Sequence, residues 1–173
     1  MRLWQERMSY LIKRAHMRWS LPTAVSLIVL FVFIDQLTKM WAGFTLAGQP
    51  ITLIPSVLRL ELVYNTGMAF GLLANGRILF LIISVLALVI GWKYYKVYYA
   101  KSPLFYWAGI LFFAGTLGNF FDRLFYGKVT DFIALGFGFM PFPVFNVADM
   151  LLCLSVAIGL LAVIFDEQAK EES

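Results

Sequence analysis

Four long apolar runs divide the chain, near residues 21–41, 72–92, 104–121 and 145–165. Each is long enough to cross a hydrocarbon layer of ~30 Å as a helix rising ~1.5 Å per residue. Between the first two, Leu58, Leu60 and Leu62 alternate with Arg59 and Glu61, the period-two pattern of a half-buried strand. With prolines and glycines around it, the segment 42–71 predicts a small extended platform at the membrane surface. Asn65-Thr66-Gly67 then reads as a turn, since glycine tolerates positive φ and an asparagine side chain bonds nearby backbone. Lys93, Lys96 and Lys101 read as a short tyrosine-rich loop after the second run. Residues 1–20 interleave five basic residues with Leu3, Trp4, Met8, Leu11, Ile12 and Ala15, which fits either a basic amphipathic helix on an anionic membrane face or a disordered basic tail. The apolar run that follows is too long for the core of a cleaved signal, and no small-residue cleavage site closes it. No repeat or internal boundary appears, so residues 1–173 read as one membrane domain.

Composition fits that picture. Hydrophobic residues make up 61% of the chain and charged residues 14%, against about half and a quarter in soluble domains. The net charge of +4 would suit nucleic acid, but the basic residues sit beside the apolar runs and so face lipid headgroups. Residues 1–20, the second-to-third connection and the tail carry nine Lys and Arg, against four in the two opposite connections; the excess places both termini in the cytoplasm. The single cysteine, Cys153, lies inside an apolar run. It forms no intrachain disulfide and reads as buried packing.

With this topology Asp35, Asp122, Asp131 and Asp149 all fall toward the outer leaflet. Ionisable groups close to hydrocarbon are expensive, and by default they mark a functional site. The single histidine, His16, lies in the basic leader on the cytoplasmic side, so Ser-His, Cys-His and HExxH chemistries lack a base where the carboxylates gather. Ser-Lys chemistry would need Ser56 with Lys39 or Lys128. Paired aspartates remain: two carboxyls a few Å apart share one proton, one taking a proton from water while the other polarises a carbonyl. Asp131 and Asp149 are the pair the positions favour.

Each acid also has a structural reading. Asn146 and Asp149 have the spacing of a capping box at a helix start. Asp131 could open a short loop helix or pair with Lys128, Asp122 could neutralise Arg123, and Asp35 could pair with Lys39 one helical turn away. Arg77 stands near enough to a span end to snorkel. At the level of function, the alternatives to a peptidase are a small proton- or ion-coupled transporter subunit and an assembly protein that uses polar residues as helix glue.

Four blocks then carry a resemblance: DQLTK from Asp35 to Lys39, NTGMAFG from Asn65 to Gly71, GNFFDR at Gly118 to Arg123 running into GKVTDFI at Gly127 to Ile133, and FPVFNVAD from Phe142 to Asp149. In this order they resemble lipoprotein signal peptidase (signal peptidase II), a bacterial family of membrane aspartic peptidases. The resemblance implies an all-α polytopic fold of four transmembrane helices, with a small extracytoplasmic β platform and a short loop helix. It makes Asp131 and Asp149 the catalytic dyad. Asn65, Gly67, Asn119, Asp122, Arg123 and Asn146 match positions that shape the site or hold substrate, and Asp35 and Lys39 match supporting positions on the first helix. The implied substrate is a prolipoprotein cut just before a diacylglyceryl-modified cysteine, at the periplasmic side of the inner membrane. No metal or other cofactor is implied, globomycin is the expected inhibitor, membrane lipids are the surroundings, and the protein is expected to be monomeric. Residues 1–20 match no block and read as an extension, with Met8 and Met17 as alternative starts.

Overall fold

The computed structural model describes residues 20–67, 76–99, 102–136 and 142–171. The basic leader, with His16, therefore lies outside the described residues. In chain order the elements are α1 (Leu21–Thr45), β1 (Ile51–Ile54), β2 (Leu58–Asn65), α2 (Arg77–Tyr98), α3 (Pro103–Tyr126), β3 (Val129–Leu135) and α4 (Val147–Glu171). All four helices are long and apolar enough to span a membrane.

Local chemistry sets the ends. Ser20 caps α1 by accepting from the Thr23 amide at 3.2 Å, and Ser102 caps α3 by accepting from Leu104 at 3.1 Å. A proline follows each cap, where its missing N–H costs nothing. Helix α3 stops at Gly127, whose φ of 72° is a left-handed cap that glycine adopts without strain. Arg77 does more than snorkel: it crosses to this end and donates to the Arg123 and Leu124 carbonyls at 2.9 and 2.7 Å. Lys93 and Lys96 lie inside α2, and not in a loop, because the tyrosines around them continue the helix.

Helix α3 is the hub, packing on α1, α2 and α4. It buries small residues where neighbours come close. A Cβ on Gly115 would stand 2.5 Å from the Ala148 carbonyl oxygen, and one on Gly118 2.5 Å from Asp35 Oδ2. On the surface, Phe33, Phe44, Ile78, Val89 and Leu160 are exposed, as expected of helices solvated by lipid tails.

The platform is a three-stranded antiparallel sheet in the order β1-β2-β3. Alternation holds as far as Leu60, after which the β2–β3 register shifts between Leu60 and Val63. The sheet is seated on the end of α1 through Ala42, Leu46 and Phe132, with Trp41 edge-on to Phe132. The option of a loop helix at Asp131 is corrected here: β3 is a strand, and no short loop helix occurs among the described residues.

Candidate active site

Three elements bring the acids together. Asp131 is delivered by β3, where it pairs with Val63 of β2. The Phe132 and Ile133 amides donate to the Phe145 carbonyl at 3.0 and 2.8 Å, which holds the strand against the start of α4. Asn146 then opens α4 with the reciprocal capping box that its spacing predicts. Its N–H donates to Asp149 Oδ2 at 3.1 Å, and the Asp149 N–H donates to Asn146 Oδ1 at 3.1 Å. Asn119 comes from the buried face of α3, near its C-terminal end.

Asn146 is fully buried, and its amide spends both protons inside the site. Nδ2 donates to Asp131 Oδ1 at 2.6 Å and to Asn119 Oδ1 at 3.1 Å. Asn119 Nδ2 in turn donates to Asp149 Oδ1 at 2.8 Å, and Asn65 Nδ2 donates to Asp131 Oδ2 at 3.2 Å. One asparagine thus contacts both acids, and two others fix the remaining oxygens. Neither carboxylate is left to rotate, so capping and catalysis are not competing readings of Asp149; the cap sets its rotamer. Burial first, and then the charge of Asp149, push the Asp131 carboxyl up to about 6, against the hydrogen bonds from Asn65 and Asn146 and the charge of Lys39. A shift of that origin is how a fold keeps a carboxylic acid protonated near neutral pH.

Behind the two aspartates lies a second layer. Lys39, 4% exposed, pairs with Asp35 at 2.8 Å and Asp122 at 3.2 Å and donates to Asn119 Oδ1 at 3.0 Å. These contacts use all three ammonium protons. Asp35 Oδ1 accepts from the Ala148 amide at 2.8 Å, tying α1 to the first turn of α4, while Asp122 Oδ2 accepts from the Thr130 amide at 3.0 Å and fixes the start of β3. Asp122 therefore neutralises Lys39 and not Arg123, because adjacent helix residues point about 100° apart. Arg123 instead donates to the carbonyls of Gly67 at 3.2 Å and Asn119 at 3.4 Å and lies over the Phe80 ring. Lys128 stands over the Tyr64 ring, and no ion pair joins it to Asp131 among the described residues. Gly67 is held by the Asn65 side chain, which accepts its N–H at 2.9 Å, as the turn reading requires.

Gln36 was not singled out from the sequence. Its Nε2 donates to Asp122 Oδ1 at 2.9 Å and to Asp35 Oδ2 and the Gly118 carbonyl, both at 3.2 Å, bridging two carboxylates that share Lys39. Cys153, expected to be buried, is exposed: it sits one turn below Asp149 and lines the cavity. The cavity has a volume of about 530 Å³ and is lined by the polar side chains of Asn65, Asn119, Arg123, Asp131 and Asp149 and by Leu135, Phe142, Val144, Met150 and Cys153. Among the described residues no group of three or more His, Cys, Asp or Glu is arranged to hold a metal ion.

Fold and site together define a multi-pass membrane protein with a buried and a half-buried aspartate, held by shared asparagines, on the wall of a largely apolar cavity. A family model described as signal peptidase (SPase) II matches residues 27–165. Lipoprotein signal peptidases of Staphylococcus aureus strains JH9 and Newman are each 34% identical over 159 residues, covering 91% of this chain and 97% of theirs. Among solved structures, a bacterial membrane enzyme determined by the in meso method at 2.3 Å resolution superposes with a TM-score of 0.77 at 32% identity, over 88% of this chain and 94% of that one. Another, at 1.9 Å, gives a TM-score of 0.65 at 32% identity, over 83% and 93%. The chain belongs to the signal peptidase II family and is a multi-pass bacterial membrane peptidase.

Proposed function

We propose that this peptidase removes signal peptides from prolipoproteins, cutting before a diacylglyceryl-modified cysteine, with Asp131 and Asp149 as an acid–base dyad. The observation that carries the reading is Asn146, whose side chain donates to the Asp131 carboxyl and whose backbone N–H donates to the Asp149 carboxyl, at the wall of a cavity lined by both polar and apolar side chains. In this scheme Asp149 takes a proton from the water that attacks the scissile carbonyl, and Asp131 gives its proton to the carbonyl oxygen. Asp149 then hands its proton to the departing amine, and Asp131 recovers one as the diol collapses. No covalent intermediate with the chain is needed. Asn65 and Asn119 hold the acids, while Arg123 and Gly67 line the substrate side.

The same geometry suits a substrate that never leaves the bilayer. An apolar signal helix and acyl chains would lie along the lipid-facing cleft and bring the peptide bond to the dyad, with the modified cysteine supplying specificity. The asymmetry of Lys and Arg favours an orientation with both termini in the cytoplasm and the dyad at the periplasmic rim. Purified protein is expected to shorten a diacylglyceryl-modified precursor on a gel, to leave its unmodified counterpart intact, and to be blocked by globomycin. Equal cleavage of both precursors would refute the substrate assignment.

A further inference from the structure

A second cavity, of about 490 Å³, lies between α2, α3 and α4, with Tyr95, Phe105, Phe112 and Gly159 among its walls. It occupies the half of the bundle away from the dyad, on the same side of α3. Phe105, Phe112 and Asn119 follow at intervals of seven residues, about two helical turns, so one stripe of α3 runs from this cavity to the wall of the dyad cavity. Helices α2 and α4 each pack on α3, which forms the floor of the cleft between them.

The length of that stripe is informative. Phe105 lies fourteen residues below Asn119, ~21 Å at ~1.5 Å per residue. The apolar core of a secretory signal is about 7–15 residues long. A signal helix whose cleavage point rests at the dyad therefore reaches the second cavity only when its apolar stretch lies near the top of that range.

The end of a signal helix that points away from its cleavage site is its N-terminal end. Tyr95 forms part of the cavity wall, with its ring over Gly109, where a Cβ would lie 2.1 Å from a ring carbon.

We infer that this cavity seats the first turn of the bound signal helix, so that the cleft selects precursors by the length of their apolar stretch. The inference rests on the dyad reading, because the length is counted from it. Gly159 offers a way to shorten the cleft: a Cβ added there meets only the Ala108 Cβ, at 3.9 Å, so Gly159→Leu projects into the cavity without displacing backbone.

The test is kcat/KM for lipidated precursor peptides with apolar stretches of about 8, 11, 14 and 17 residues, a range set by the ~1.5 Å rise. Wild-type protein should peak near 14. Gly159→Leu should move the peak shorter by about one turn, roughly 4 residues. A flat wild-type profile, or a profile unchanged in Gly159→Leu, would overturn the inference and leave the dyad reading standing. Wild-type protein that cleaves no length would refute the dyad reading, and this inference with it.

Discussion

Asn146→Asp exchanges one NH2 for an oxygen at the most crowded point of the site. The helix start tolerates the change, since Asp and Asn cap about equally well and the bond accepted from the Asp149 amide at 3.1 Å survives. The other side does not tolerate it. A donor 2.6 Å from Asp131 Oδ1 becomes an acceptor, and two ionised carboxylates at that distance repel by about 6 kcal/mol at an effective dielectric of about 20. That is more than four pH units of proton affinity at ~1.4 kcal/mol each, so at neutral pH Asp131 and the new carboxyl hold one proton between them. At neutral pH the shared proton is misplaced, and cleavage of a lipidated precursor should fall on the order of 10²-fold. As pH drops and the extra carboxyl protonates, its O–H replaces the lost donor and activity should partly recover, moving the optimum to lower pH. A pH–rate profile of the variant that overlays wild type would refute the assignment of Asn146 as the donor linking the two acids.

Other outcomes follow from the same contacts. Lys39→Met leaves Asp35 and Asp122 buried without their shared cation and should cost about 3–5 kcal/mol of stability, read as a lower melting temperature in detergent. Gly118→Ala places a methyl 2.5 Å from Asp35 Oδ2 and should cost about 1–3 kcal/mol; an unchanged melting temperature would show that α1 and α3 have slack there. With Asp131 raised to about 6, kcat/KM should be highest while that carboxyl holds its proton and should fall as pH rises through about 6. Because the Asn65 hydrogen bond lowers the Asp131 value, Asn65→Ala should carry that falling limb to higher pH, and a limb that moves the other way would contradict the geometry. Chelation with EDTA should leave precursor cleavage on a gel intact.

How much of this the sequence revealed depended on the range of each interaction. Asp35 with Lys39 and Asn146 with Asp149 are three or four residues apart, and their spacing announced both contacts. Gln36 was silent because its partners Gly118 and Asp122 are more than eighty residues away, and a glutamine on an apolar helix says only that something polar faces it. Distance also hid the choice of Asp122 for Lys39 over its neighbour Arg123. The strand at Asp131 is legible in Val129, Thr130 and Ile133, which favour extended backbone. Cys153 could not have been placed, because a helix apolar all round gives no sign of which face meets a neighbour and which meets lipid or a cavity.

The proposal of an Asp131–Asp149 dyad is tested most directly by single-turnover cleavage of a diacylglyceryl-modified precursor with Asp131→Asn and Asp149→Asn, each first shown to keep the wild-type melting profile. Both variants should lose on the order of 10²-fold or more in the rate of the first turnover. A folded variant of either kind that cuts at the wild-type rate would contradict the dyad.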